Sequence, residues 1–225
     1  MHIGSQNGNW SGKLRSFFPT SSALTKKDIE RTFLLMFCIF LGLFTLLLNF
    51  SYSKWNQYAL AAQSLLQGTL YLNPALGGVF DSAFFHGLYF WPLGPFPTLV
   101  LVPFLALGNL LGVSIVEGNL QFFFSLGIFI ACYALARRFS YSARDALYLA
   151  VAFCFASVYH QIALIPASWY FVQAVTVLLI FLSLLEYFAK RRWWVIGVLF
   201  GFIFMSRFTA GFGIFFFLAD IVFSK

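Results

Sequence analysis

A chain of 225 residues with 61% hydrophobic and only 9% charged residues is too apolar for a soluble domain, in which about a quarter of residues carry charge. The formal net charge of +7 is not a nucleic-acid footprint: the basic residues sit in short clusters between apolar runs, as in the cytoplasmic loops of membrane proteins. The composition describes an all-α, polytopic bundle of membrane helices, and its 32 phenylalanines suit helix packing and the membrane interface.

Residues 1–31 are rich in Ser, Gly and Asn and read as a flexible tail. The basic residues that precede the first apolar run, Lys13, Arg15, Lys26, Lys27 and Arg31, place that tail in the cytoplasm. The run itself, Phe33 to Phe50, is too long and too far into the chain for a signal-peptide core, so it reads as a retained anchor. Residues 32–225 then form the membrane module, with 51–118 as its external segment. Over 51–95 that segment holds one basic residue, Lys54. From Lys54 to Gly68 apolar residues recur at helical spacing, and Gly68 is a natural stop; the spacing predicts an amphipathic helix at the membrane surface. Tyr71-Leu72-Asn73-Pro74 reads as a turn, and Phe80 to Pro97 combines an acid, a histidine, aromatic residues and a Pro/Gly-stiffened exit.

The run Phe96 to Gly112 allows two topologies. If it crosses, Arg137, Arg138 and Arg144 fall outside, against the positive-inside rule. If it lies on the outer surface or dips in and returns, they fall inside; Pro95, Pro97 and Pro103 favour such an interrupted, non-spanning helix. On the second topology Asn119–Ala136 runs inward and Asp145–Leu164 outward. Ile165-Pro166-Ala167 makes an outer loop, and Ser168–Phe188 runs inward to Lys190-Arg191-Arg192. The last stretch, Trp194–Phe223, would extend roughly 45 Å as one helix, against a hydrocarbon core of about 30 Å. As a single span it would bury Arg207; as a hairpin turning at Ser206-Arg207 it puts Arg207 at an outer apex and Lys225 inside. Two short helices also leave a water-filled depression on the outer side. The outer carboxylates are then Asp81 and Glu117, the latter reading as a helix N-terminal acid. Cys38, Cys132 and Cys154 lie inside apolar runs without metal-ligand spacing and read as buried small hydrophobes.

Three pieces in this order resemble the N-terminal half of GT-C-type membrane glycosyltransferases, the group that includes protein O-mannosyltransferases and the lipid A aminoarabinose transferase. They are the segment Asn56-Gln57-Tyr58…Leu65-Leu66-Gln67-Gly68 after the first helix, Asp81 before Gly87-Leu88-Tyr89-Phe90…Gly94-Pro95-Phe96-Pro97, and Gly197-Val198-Leu199-Phe200-Gly201…Ser206-Arg207. The resemblance implies a short external helix pair between the first two crossings and a plasma (inner) membrane location. It also implies a polyprenyl-phosphate-sugar donor, an extracytoplasmic acceptor and an acidic base on the first external loop. Many relatives carry that acid just after the first helix, where this chain has Asn56, so the role shifts to Asp81. Such enzymes are usually longer, so the chain reads as the N-terminal module of one.

A carboxylate at Asp81 would take the proton of the acceptor hydroxyl as the new bond forms; the plain alternative is an Asp that shapes a loop. Arg207 would hold the lipid phosphate with its permanently charged, bidentate fork, against an arginine merely reaching for headgroups. Asn56, His86, Tyr89, His160, Gln161 and Gln173 are candidates for substrate contact, against interfacial or core roles. A divalent metal is compatible with Asp81 and His86, although the pair is no motif. The alternative function is a non-catalytic membrane protein that binds polyprenyl lipids or serves as a subunit of an envelope glycan assembly complex. A transporter would want internal repeats and ionisable residues at the midplane, and the sequence has neither.

Overall fold

A computed structural model describes residues 26–51, 55–76 and 78–223. Lys13, Arg15, Lys54, Lys225 and the tail up to residue 25 lie outside these residues. The chain divides into two units, Met1–Phe40 and Leu41–Lys225. In the first, the described residues belong to the leading part of helix α1 (Lys26–Asn49), where Phe33 and Phe37 stack one turn apart. The helix therefore starts within the segment expected to be a flexible tail. Lys26 to Arg31 contains neither Gly nor Pro, so nothing in it stops the helix from extending beyond the apolar run.

The second unit holds the rest of α1 and then α2 (Gln57–Leu66), a single 3₁₀ turn (Pro74–Leu76), strands β1 (Ala83–Phe85) and β2 (Leu88–Phe90), and α3 (Phe96–Leu111). It continues with α4 (Glu117–Arg138), α5 (Ala143–Phe155), α6 (Tyr159–Leu164), α7 (Ser168–Tyr187), α8 (Trp193–Ser206), α9 (Phe208–Gly211) and α10 (Ile214–Phe223). The fold is mostly helical rather than all-α. The strands pair antiparallel in the register Ala83↔Phe90, Phe84↔Tyr89, Phe85↔Leu88. His86 and Gly87 form the loop with φ of 51° and 81°, the pair of left-handed residues whose twist matches that of the flanking strands. The Leu72 N–H donates to the Tyr89 carbonyl at 2.7 Å and ties the hairpin to the preceding segment.

Among the described residues, three helical segments are long and apolar enough to cross a bilayer: Thr32–Asn49, Glu117–Arg138 and Ser168–Tyr187. Helix α3 has 16 residues and extends about 24 Å, less than the hydrocarbon core. It is not interrupted as expected. Pro97 occupies its first turn, where no N–H is needed, and the helix continues through Pro103 to Gly112, whose φ of 69° ends it. The single helix expected over Asp145–Leu164 is instead two, α5 and α6. At the break, the Ser157 hydroxyl donates to the Phe153 carbonyl at 2.6 Å and accepts the Tyr159 N–H at 3.1 Å, replacing ladder bonds with side-chain ones.

Helices α4 and α7 lie side by side and run in the same direction. Glu117 meets Ser168 at their beginnings, and the rings of Phe139 and Phe188 stand 4.7 Å apart at their ends. The broken pair α5–α6 returns alongside both, and α8 packs against α7. Beyond Ser206 the backbone of Arg207 is extended (φ −141°, ψ 107°). The chain then doubles back: Phe217 packs edge-on against Phe200 at 5.2 Å, and Asp220 pairs with Arg191 at 3.8 Å. The expected hairpin therefore forms at Ser206-Arg207. Its core joins Tyr187, Ile196, Phe200, Ile203 and Phe217 to Phe171, Val172 and Val175 of α7, and on to Tyr58, Ala62, Leu101 and Leu105 of the packed pair α2–α3. Cys154 is buried, whereas Cys38 and Cys132 are half-buried on helices with exposed apolar faces, a departure from the burial expected for all three.

Candidate functional site

At the end of the bundle where α4 and α7 begin, five chain segments converge on polar side chains withdrawn from solvent. Asn49, Gln57, Glu117, Gln121 and Ser168 are all fully buried. The α2 helix begins after Asn56, whose side chain does not cap it. Glu117 does so from α4: its Oε1 accepts the N–H of Tyr58 at 2.8 Å and of Ala59 at 3.2 Å. These are first-turn amides with no partner inside their own helix. The carboxylate thus sits at the positive ends of two helix dipoles, its own and that of α2. The Ser168 hydroxyl lies 2.8 Å from Glu117 Oε1, Gln57 Oε1 and the Trp55 carbonyl, and accepts the Gln57 N–H at 2.8 Å. Its single proton serves one of those three oxygens at a time.

The same device closes the opposite kind of helix end. Gln121 Nε2 donates to the carbonyls of Ile162, Ala163 and Ile165 at 2.6, 3.3 and 2.8 Å, and Asn49 Nδ2 to those of Ala163 and Leu164 at 2.8 and 3.3 Å. These are the orphan carbonyls at the end of α6. A Cβ on Gly118 would stand 2.4 Å from the Asn49 carbonyl oxygen, so the glycine lets α1 and α4 approach. The cluster is a set of long-range helix caps. Glu117 is accordingly more than the acid of its own helix, and Gln57, Gln121, Asn49 and Ser168 are polar residues that sequence reasoning passed over. Their signal was available: a glutamine or asparagine within or beside an apolar run needs a partner where water cannot supply one.

Two cavities flank this cluster. One, of about 300 Å³, lies between α7 and the turn after α8 and is lined by Gln173, Thr176, Arg207 and Thr209 among others. It brings together Arg207 and Gln173, two of the residues the sequence points to. The Arg207 guanidinium has no ion pair and no side-chain hydrogen bond among the described residues. By contrast, Arg191 and Arg192 are paired with Asp220 and Glu186. The end of α8 is fixed by a strap: a Cβ on Gly94 would lie 2.1 Å from the Met205 carbonyl oxygen, and Phe96 stacks on Phe202 at 4.4 Å. Beside the strap, the Tyr58 hydroxyl and the Trp91 indole nitrogen are buried next to each other and have no other partner among the described residues; burial pushes the Tyr58 phenol well above its ordinary range.

The second cavity, a cleft of about 700 Å³, opens between α2, the end of α3 and the 113–116 segment, with Asn56 in its wall. Asp81 adjoins Phe80, which lines the cleft, and is itself exposed in a left-handed turn with φ of 53°. His86 is exposed at the tip of the hairpin and Tyr89 half-buried within it, 4.9 Å from the ring of Phe84. On α6, His160 packs on Phe155 with its Nδ1 buried and without a hydrogen bond, and Gln161 reaches the Tyr170 hydroxyl at 3.5 Å. The candidates therefore fall around two cavities, on the hairpin and on α6 rather than in one pocket. Among the described residues, no three His, Cys, Asp or Glu side chains gather as a metal site requires.

Among the described residues, three membrane-length helices with exposed apolar faces, joined at one end by buried polar caps, describe a multi-pass helical membrane protein. Comparison with family models, with curated proteins and with solved structures finds no match to this chain.

Proposed function

We propose that the chain is a GT-C-like membrane glycosyltransferase, or the N-terminal module of one, that takes a monosaccharide from a polyprenyl-phosphate donor to an extracytoplasmic acceptor. The observation that carries this reading is the Arg207 pocket. A guanidinium without a protein anion among the described residues, beside Gln173 and Thr209, offers charge and hydrogen-bond donors of the kind a lipid phosphate needs, and it opens at the flank of a membrane-length helix. Arg207 is exposed at the turn of the hairpin, where its guanidinium is accessible to a lipid phosphate. The basic ends of α4 and α7 and the start of α8 orient the protein with that face in the cytoplasm, so that Asn49, Glu117 and Ser168 face outward. The pair α2–α3 is then the external pair between the first two crossings. Asp81 is the base that deprotonates the acceptor, placed on a solvent-facing turn at the rim of the cleft that holds Asn56.

The test is incubation of purified protein with a radiolabelled polyprenyl-phosphate sugar, scoring both retained lipid and transferred sugar. Transfer that Arg207→Ala and Asp81→Asn abolish supports the reading. Lipid retention without transfer favours the alternative of a polyprenyl-lipid-binding subunit of an envelope glycan assembly complex.

A further inference from the structure

The cleft that holds Asn56 is only one side of a larger feature. On α3, Gly112 adopts a left-handed conformation and the Val113 N–H returns to the Gly108 carbonyl at 2.9 Å. Gly108 permits this close return, since a Cβ there would stand 2.6 Å from the Val113 carbonyl oxygen. The tight turn carries Val113-Ser114-Ile115 away from α3 as a narrow divider, and the same three residues line two cavities. On one side is the 700 Å³ cleft, whose polar wall consists of neutral groups: Asn56, Gln63, Asn109 and Ser114. Asn109 Nδ2 donates to Gln63 Oε1 at 3.2 Å, which leaves the Gln63 amide hydrogens and the Asn109 carbonyl oxygen directed to other partners. Phe80, 53% exposed, offers an aromatic surface at the same place. On the other side is an apolar groove of about 870 Å³ between α3 and α4, walled by Phe104, Leu120, Phe123, Phe124 and Leu178.

We infer that this pair of cavities binds an uncharged glycolipid, with the sugar headgroup in the Gln63–Asn109 cleft and the lipid chain in the Phe104–Phe123 groove. Three features select that class. Amide and hydroxyl groups interleaved with an aromatic ring match a polyhydroxylated ring, and each cavity is of the size that ligand sites occupy. The two environments meet across a divider three residues wide, so one amphipathic molecule reaches both. Among the described residues, neither cavity is lined by an Asp, Glu, Lys, Arg or His, so the described lining offers a charged headgroup no counter-ion. Arg207 lines a different pocket, so the anionic donor and this neutral ligand have separate seats. The inference rests on the proposed transferase reading in one respect: it makes the neutral glycolipid the acceptor.

The experiment is direct binding of tritiated monoglucosyl diacylglycerol to the full chain in phosphatidylcholine nanodiscs, competed by unlabelled lipids. Saturable binding is expected, displaced by unlabelled monoglucosyl diacylglycerol and at least about ten-fold less effectively by phosphatidylglycerol, by plain diacylglycerol or by methyl glucoside. Asn109→Leu, at an exposed position that tolerates an apolar side chain in the helix, should weaken binding about ten-fold through the lost hydrogen bonds. Ser114→Trp, which fills the junction, should do the same, and Arg207→Ala should leave binding unchanged. Equal competition by any of the three partial mimics, or normal binding by both Asn109→Leu and Ser114→Trp, overturns the assignment. Binding retained with no sugar transfer counts against the transferase reading alone; transfer retained with no glycolipid binding counts against this site alone.

Discussion

Glu117 Oε1 accepts the backbone N–H of Tyr58 at 2.8 Å across 59 positions of sequence, so the first turn of α2 is capped by the first residue of α4. Residue 56, where a local cap would sit, supplies no such bond. Replacing Glu117 by Ala strands two buried amides, while the Ser168 hydroxyl keeps Gln57 Oε1 and the Trp55 carbonyl as acceptors. That should cost roughly 2–4 kcal/mol of stability, read as a lower thermal midpoint of the detergent-solubilised protein. Glu117→Gln keeps an acceptor oxygen and should cost much less. Equal losses for both variants would mean that the charge, rather than the cap, is what matters.

The close approach of Gly94 to the Met205 and Ser206 carbonyls leaves no room for a methyl group. Gly94→Ala must displace backbone rather than a flexible side-chain tip. It should lower the unfolding midpoint clearly, by about 2 kcal/mol or more, and should also weaken retention of a polyprenyl phosphate because the strap fixes the segment before Arg207. Gly87 is the control: its φ is 81° but nothing lies within 4 Å of a Cβ, so Gly87→Ala should cost only the local strain of about 1 kcal/mol and spare lipid retention.

Asp81 is exposed in a left-handed turn, a conformation that asparagine also tolerates. Asp81→Asn should therefore leave folding and lipid binding as they were and remove sugar transfer. A variant that transfers sugar at the wild-type rate would exclude Asp81 as the base.

Orientation is open to chemical labelling. In intact cells, an impermeant maleimide should modify Leu110→Cys, at the exposed end of α3, and should reach Ser140→Cys, between α4 and α5, only after permeabilisation. The reverse pattern would invert the protein and move the Arg207 pocket to the cytoplasmic side.

The parts legible in the sequence were those governed by one-dimensional rules. Arg207 announces the hairpin because a 30-residue apolar helix both overruns the bilayer and buries a charge, and Arg191–Asp220 closes the hairpin where that argument puts it. Helix α2 was readable from spacing and from Gly68. The β-hairpin carried a readable signal, since His86-Gly87 between aromatic residues favours a two-residue turn, but the short strands looked like loop. The α5–α6 break carried a weaker one: Ala156-Ser157-Val158 holds neither Gly nor Pro, and the break depends on where the Ser157 hydroxyl turns. The cap by Glu117 had no local trace, because its partners lie on α2 and α7. For the same reason, the scatter of the candidate residues over two cavities, the hairpin and α6 followed from packing, which spacing does not encode.

The caps also set an order of assembly during synthesis. Helix α2 leaves the ribosome with its first amides unsatisfied and acquires its acceptor only when Glu117 has been made; the hydroxyl that completes the knot arrives with Ser168, about fifty residues later. Before Glu117 is made, the first amides of α2 depend on water. With α7, Ser168 joins Gln57 and Glu117 and ties the starts of three helices together.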